Sequence, residues 1–374
     1  MTLLFWMSVA GVLYPYFGYL LVLALLGRIA ARRDRTNADA PLPSVTIIIP
    51  AHNEASRIGA KVANTAALDY PADRLQVLFV NDGSTDATAD VIRSTMTAGM
   101  ALVELRARGG KAQALNAGLA AARHDILVFS DASIALEPDA LRQLVRGFSD
   151  PEVGCVSGED RIADGGGEGL YGTYELYLRR LESRVHSIVG ASGCLYAQRR
   201  SICQPFTEGM APDFLSVLRT VEQGYRATSE PNAVGYMTSV KDPRHEFERK
   251  VRTLLRGMTT MFSYGHLLNP FRYGLFAFAL ISHKILRWSV PFFLIGVLLA
   301  PLGLLHVPFY ALALAAQVAF YLIALAAFAG WGRLAASLPG KVALYFASVN
   351  AAIVAAWYQY ARGVRQELWT PSAR

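Results

Sequence analysis

Four apolar runs in this 374-residue chain end in polar residues suited to holding a ligand. "SVTIIIP" leads into His52, Asn53 and Glu54, and "LQVLFV" into Asp82 and Asp86. "ALVELRA" precedes Gly110-Lys111, and "DILVFS" ends at Asp131 and Ser133. Carboxylates accept hydrogen bonds, a lysine supplies charge, and a glycine lets backbone come close to a bound group. One such ending is chance; four on one sheet edge describe a site, because ligands of open α/β sheets bind at the carboxyl ends of strands. Gly110-Lys111 is no Walker loop: Leu105 stands where that motif needs glycine and Ala112 where it needs Ser or Thr. No G-x-G-x-x-G succeeds the first run, which disfavours a dinucleotide fold.

The elements that position these groups are set by the pattern. Asn81-Asp82-Gly83 after a strand suggests a hairpin. The residues beyond it are helical instead, with Ser84 or Thr85 as cap, Ala87, Val91, Ile92 and Met96 at helical spacing, and Gly99 as the stop. The continuous β-branched run Ser44–Pro50 reads as a strand buried on both faces. The alternation βαβαβαβ predicts an α/β fold, a mainly parallel sheet with helices on both faces.

Composition adds a membrane to this picture. Hydrophobic residues make up 53% of the chain, and the first 27 residues carry no charged side chain. That length spans a bilayer, and the basic "RIAARRDR" behind it places the downstream side in the cytoplasm. Val290–Val307, Pro308–Gly330 and Lys341–Ala361 each suit a membrane helix. Phe271–Trp288 holds His283, Lys284 and Arg287 and reads as an interfacial helix. Three irregularly spaced cysteines argue against a disulfide frame or a zinc site, and Cys155, Cys194 and Cys203 read as small buried residues. The net charge of +7 suits anionic lipid or phosphate, and no nucleic-acid-reading motif appears.

As a set, "SVTIIIPAHNEASRI", "VLFVNDGSTDAT", "GGKAQALNAGL" and "ILVFSDASIALEPDAL" resemble the nucleotide-binding half of family 2 inverting glycosyltransferases of the GT-A fold, integral-membrane bacterial type. "GCVSGE" and "GASGCLYAQRRSI" resemble the acceptor-side segments, and "APDFLSVLRTVEQGYRATSEPNAVGY" resembles the stretch holding the catalytic base. The resemblance implies that Ala51, Asn53 and Glu54 line the nucleotide pocket, that Asp82 accepts a hydrogen bond from a uracil base, and that Gly110 and Lys111 approach the nucleotide. Asp131 falls at the family's Asp-x-Asp metal motif, for Mg²⁺ or Mn²⁺, with Ser133 in place of its second acid. Asp213 falls at the base that deprotonates the acceptor hydroxyl. The Gln-x-x-Arg-Trp motif of processive members is absent, although Arg249, Arg252 and Arg256 can reach a diphosphate or a lipid headgroup.

The sequence therefore leads to a membrane hexosyltransferase moving a sugar from UDP-sugar to a polysaccharide or lipid-linked acceptor, with its catalytic domain on the cytoplasmic face of a multi-pass inner-membrane protein. The expected domains are an anchor and basic linker (1–37), the GT-A domain (38–245), basic interfacial helices (246–288) and membrane helices with a tail (289–374). Polysaccharide export proteins are candidate partners. A non-catalytic GT-A scaffold in a secretion complex is the alternative, and His245, Asp160 and Asp164 read as solvated.

Overall fold

In the computed structural model, which describes residues 1–29, 37, 40–162, 168–238 and 242–365, strand β1 is Val45–Ala51 and all seven of its residues are buried. β2 (Leu75–Asn81) and β3 (Met100–Glu104) extend the sheet on one side, and β4 (Ile126–Ser130) lies on the other. Those pairings are parallel, as the βα alternation predicts. β5 (Ala135–Leu136), β6 (Val153–Ile162), β7 (Leu195–Arg199) and β8 (Arg226–Met237) complete an eight-stranded sheet ordered β3-β2-β1-β4-β7-β6-β8-β5. This second half is mixed: β7 runs antiparallel to β4 and β6, β8 parallel to β6, and β5 antiparallel to β8. Register decides where the ligand edge lies. Ile47 sits beside both Val77 and Val128, and Ala51 beside Asn81, so the loops after β1, β2 and β4 leave the sheet together.

Helices α1 (Thr2–Leu13) and α2 (Tyr19–Ile29) precede the sheet, joined by a π-helical turn at Tyr14–Gly18. α3 (Ile58–Ala66), α4 (Thr88–Thr95), α5 (Gly110–Ala121) and α6 (Ala140–Arg146) connect strands, and α7 (Glu168–Val185) and α8 (Pro212–Glu222) flank β7 in sequence. α4 starts later than Ser84 or Thr85 and ends before Met96, which is already extended. The capping acceptor is Asp86, whose Oδ1 takes the Thr88 amide at 3.0 Å. The hydroxyls of Ser84 and Thr88 are turned instead to the loop after β1, where they take the amides of Asn53 and Glu54.

Two compact units emerge: residues 27–241 with 256–267 and 365–374, and residues 1–26 with 242–255 and 268–364. The second contains most of α9 (Pro243–Ser263), then α10 (Pro270–Leu280), α11 (Leu286–Leu299), α12 (Pro308–Phe328), α13 (Gly332–Ala336) and α14 (Leu338–Ala361). Among the described residues, four helical runs are long and apolar enough to cross a membrane: Thr2–Ile29, Pro270–Leu304, Pro308–Phe328 and Leu338–Ala361. Phe271–Trp288 and the expected boundary at 288/289 both fall within the second of these runs, which Gly274 kinks with a non-helical backbone (φ 49°). Its charges explain the difference, because they face inward: His283 is 6% and Arg287 7% exposed. The Arg287 guanidinium stands 5.3 Å from the Tyr16 ring centre, and the Tyr14 and Ser282 hydroxyls are 3.0 Å apart. Residues 30–36 of the basic flank, Asp164, Gly165–Gly167 and the tail beyond residue 365 lie outside the described residues.

A buried cation whose supporting ring is removed costs more than one removed outright. Tyr16→Ala is expected to lower stability in detergent by about 2 kcal/mol or more, and Arg287→Met by less than half of that. Thermal unfolding monitored by tryptophan fluorescence checks the order; the reverse order would show that the ring does not support the charge.

Candidate functional site

The loop after β1 and the loop after β2 are knitted into one wall. Asn53 adopts a left-handed backbone (φ 53°), and its side-chain oxygen accepts from the Thr85 amide at 2.9 Å. The amides of Asn53 and Glu54 donate to the hydroxyls of Ser84 (3.0 Å) and Thr88 (2.8 Å), and that of Ala55 to Asp86 (3.1 Å). His52 Nδ1 lies 2.7 Å from the Asp82 carbonyl. Ala51 is fully buried beneath this wall, and the Glu54 carboxylate meets Arg57 at 3.1 Å.

Asp82 joins the wall to α5. Its two carboxylate oxygens accept the amides of Gly109 (2.7 Å) and Gly110 (2.9 Å), and the residue is 1% exposed. A carboxylate offers about four lone-pair sites, so these bonds leave about two for another N–H. Gly83 makes the approach possible: φ is +56°, and a Cβ there would lie 2.5 Å from the Arg108 nitrogen. Gly110, also left-handed at φ +81°, opens α5 and directs the next residue, Lys111.

Lys111 reaches across to β4. Its Nζ lies 2.6 Å from Asp131 Oδ1 and 3.3 Å from the Gly193 carbonyl. Burial pushes its pKa down, the Asp131 charge pushes it up, and the latter wins, so Lys111 stays cationic. A small cleft opens here, lined by Lys111, Asp131, Gly193, Tyr196, Pro212 and Asp213 among others. Asp213 occupies the first turn of α8, and a Cβ on Gly193 would lie 3.8 Å from its carboxyl carbon. The loop leading to it is fixed by α9: Arg256 donates to the Met210 carbonyl at 2.7 Å, and Thr260 accepts the Ala211 amide at 2.9 Å.

Ser133 stands half-buried two residues after Asp131. Among the described residues no group of three His, Cys, Asp or Glu could hold a metal ion. One carboxylate and one hydroxyl suit a cation that takes its other ligands from phosphate and water, as Mg²⁺ does. The donor set therefore fits an ion brought in with a diphosphate.

The structure thus gathers Lys111, Asp131 and Asp213 at one cleft, with Gly110 beginning the helix that carries Lys111 and Asp82 bonded to Gly110. Arg249 and Arg252 belong to the other unit, where Arg249 pairs with Glu246 at 2.7 Å. His245 is exposed and lies 3.3 Å from Asp242. Burial pushes the Cys155 thiol up and that of Cys203 to about 12, so both stay protonated.

Lys61 was not singled out by the sequence, yet its Nζ donates to Ser130 Oγ and to the Ile134 carbonyl, each at 2.8 Å, around Asp131. The signal was present in its spacing, for Ile58, Val62 and Thr65 place position 61 on the buried face of α3. Burial lowers its pKa to about 7 from 10.5. Below pH 7 both folded and unfolded chains hold the proton, and the cost of burying the charge is felt in full. Between pH 7 and 10.5 the unfolded chain keeps a proton that the folded one sheds, so stability rises with pH. Relative to Lys61→Met, the wild type should gain about 1–3 kcal/mol from pH 7 to 9. Urea unfolding of both proteins across that range checks this, and a pH-independent difference refutes it.

Residues 46–204 match the family model described as Glycosyl transferase family 2. A poly-beta-1,6-N-acetyl-D-glucosamine synthase of Staphylococcus aureus is 32% identical over 123 residues, 32% of this chain and 29% of that protein. A beta-monoglucosyldiacylglycerol synthase of Synechocystis sp. is 32% identical over 183 residues, 44% of this chain and 38% of that protein. The chain spans less than two fifths of the length of either relative. Among solved structures, the mannosyltransferase PcManGT from Pyrobaculum calidifontis, in complex with GDP-Man and Mn²⁺, matches with a TM-score of 0.69 at 26% identity, over 96% of this chain and 99% of that one. The family match runs across the strands whose ends carry Asp82, Lys111 and Asp131, and residues 46–204 are those of a family 2 glycosyltransferase domain of the GT-A fold.

Proposed function

We propose that this chain transfers a sugar, with inversion, from a nucleoside diphosphate sugar to a glycan or lipid-linked acceptor at a membrane. The observation that carries the reading is the cleft shared by Asp213, Asp131 and Lys111. A base, a carboxylate for a hard cation and a lysine for phosphate are the groups such a displacement asks for. Asp213 takes the proton of the acceptor hydroxyl as its oxygen bonds to the anomeric carbon. The bond from that carbon to the diphosphate oxygen breaks, and the leaving diphosphate keeps the electron pair. Lys111 offers a cation to the phosphates. Asp131 and Ser133 would hold Mg²⁺ or Mn²⁺, which when bound offsets charge on the leaving group.

The donor base is read from two sides. The sequence resemblance favours uracil, whereas the solved relative that matches almost the whole chain is a complex with GDP-Man. Asp82 serves either base, since uracil and guanine both present a ring N–H to a carboxylate. Asn53 and Glu54 belong to the wall beside it. The four apolar helices and the names of the two curated relatives support a membrane site and a glycan or lipid acceptor. The basic flank after the first of these helices supports a cytoplasmic catalytic unit. Arg249 and Arg252 offer charge to a diphosphate or a lipid headgroup.

Purified protein in detergent is to be incubated with a panel of UDP- and GDP-sugars and Mn²⁺, and nucleotide release measured with and without membrane lipid. One donor is expected to give acceptor-dependent release. Asp213→Asn keeps the size and polarity of the side chain in the first turn of α8 but takes no proton, so it should melt and bind nucleotide as wild type does while losing about two to four orders of magnitude in transfer. Asp131→Asn should abolish Mn²⁺-dependent turnover. Wild-type transfer by Asp213→Asn would remove it as the base, and a wild type inert with every donor would favour a scaffold role.

A further inference from the structure

We infer that Lys61 is a positioning residue, which from helix α3 fixes the loop bearing Asp131 and Ser133 and thereby sets how tightly that loop takes a divalent cation. The inference rests on the reading of Asp131 and Ser133 as the cation's protein ligands.

Its basis is where the side chain spends its hydrogen bonds. The Lys61 ammonium donates to Ser130 Oγ and the Ile134 carbonyl, both at 2.8 Å, and so spans the loop on either side of Asp131–Ser133. One helical turn on, Asn64 continues the same grip. Its amide donates to the Leu136 carbonyl at 2.8 Å, and its side-chain oxygen accepts the Leu136 amide at 2.9 Å. Helix α3 thus holds the segment 130–136 at three residues. The backbone holds the ends of that segment, the Asp131 amide on the Cys194 carbonyl at 3.1 Å and β5 on β8, while between them the Ile134 amide reaches the Asp131 carbonyl only at 3.5 Å.

A lysine 3% exposed is an expensive way to fill space, because desolvating an ammonium disfavours its charge. Met fits the same volume without that cost but cannot donate to a hydroxyl and a carbonyl at once. A cation such as Mg²⁺ demands near-ideal octahedral geometry at about 2.0–2.1 Å. One carboxylate and one hydroxyl meet that demand only when their spacing is fixed. Helix α3 also begins four residues after Glu54, so one helix carries the wall of the nucleotide pocket at its start and the grip on the cation loop along its side.

The test titrates Mn²⁺ into the full-length protein in detergent, with saturating UDP in one series and GDP in another. Free Mn²⁺ is followed by its electron paramagnetic resonance signal. Asp131→Asn tests the underlying reading, and Lys61→Met, Ser130→Ala and Asn64→Ala test the positioning. Each variant is first shown to melt cooperatively and to bind nucleotide in EDTA as wild type does, which a general loosening of the unit would prevent. Lys61→Met is expected to weaken Mn²⁺ binding about tenfold and Ser130→Ala about threefold, near the lower end of the loss seen when a group that orients a metal ligand is removed. Lys61→Arg, which keeps the donors, should restore part of the loss. If Asp131→Asn abolishes Mn²⁺ binding while folded Lys61→Met and Ser130→Ala bind as wild type, the positioning role is overturned and the cation reading stands. If Asp131→Asn itself binds Mn²⁺ unchanged, both fall. Should Lys61→Met fail to fold, unchanged Mn²⁺ affinity in Ser130→Ala and Asn64→Ala overturns the proposal.

Discussion

The charge of Asp131 is the point about which the cleft is organised. A carboxylate at the end of a buried strand needs a partner, and Lys111 supplies one from the opposite loop at 2.6 Å. That reach is possible only because Gly110 turns α5 out of a left-handed residue, and Gly110 is held by Asp82 at the end of the neighbouring strand. One ion pair therefore depends on two strand ends and a glycine turn. On the proposed function, a cation arriving with a diphosphate would meet a carboxylate already engaged by an ammonium. The phosphates offer that ammonium a new partner, so exchange between the two states breaks no charge pairing without forming another.

Burial determines how much of the fold was legible in the sequence. β1, β2 and β4 are hidden on both faces, so their apolar runs are continuous and their ends are marked by the first polar residues. The later strands lack this signature. β8, "RATSEPNAVGYM", carries a glutamate, a proline and an asparagine, and β6 ends in "GEDRI", so neither reads as a strand. Their place in the sheet comes from tertiary pairing. α4 was displaced for a related reason, since hydroxyls that could cap a helix are used by the neighbouring loop.

The candidate site was legible in its acids and glycines and less so in what holds them. A lysine in an amphipathic helix ordinarily reads as solvent-facing, and only the buried neighbours of Lys61 at helical spacing say otherwise. His283 and Arg287 show the opposite error. Charge near an apolar run reads as a headgroup contact, whereas here these side chains are turned into the helix packing, with Arg287 against Tyr16.

The loop before Asp213 has a consequence for how the protein comes into being. Every strand of the sheet lies between residues 45 and 237, so the ribosome has delivered the whole sheet before any of α9. Met210 and Ala211, however, are held by Arg256 and Thr260. A nascent chain that has just completed its sheet still lacks the two side chains that fix the approach to Asp213. The supports arrive only as synthesis nears residue 270, where the next apolar helix begins. Order of synthesis thus ties completion of the loop before Asp213 to the approach of the next apolar helix.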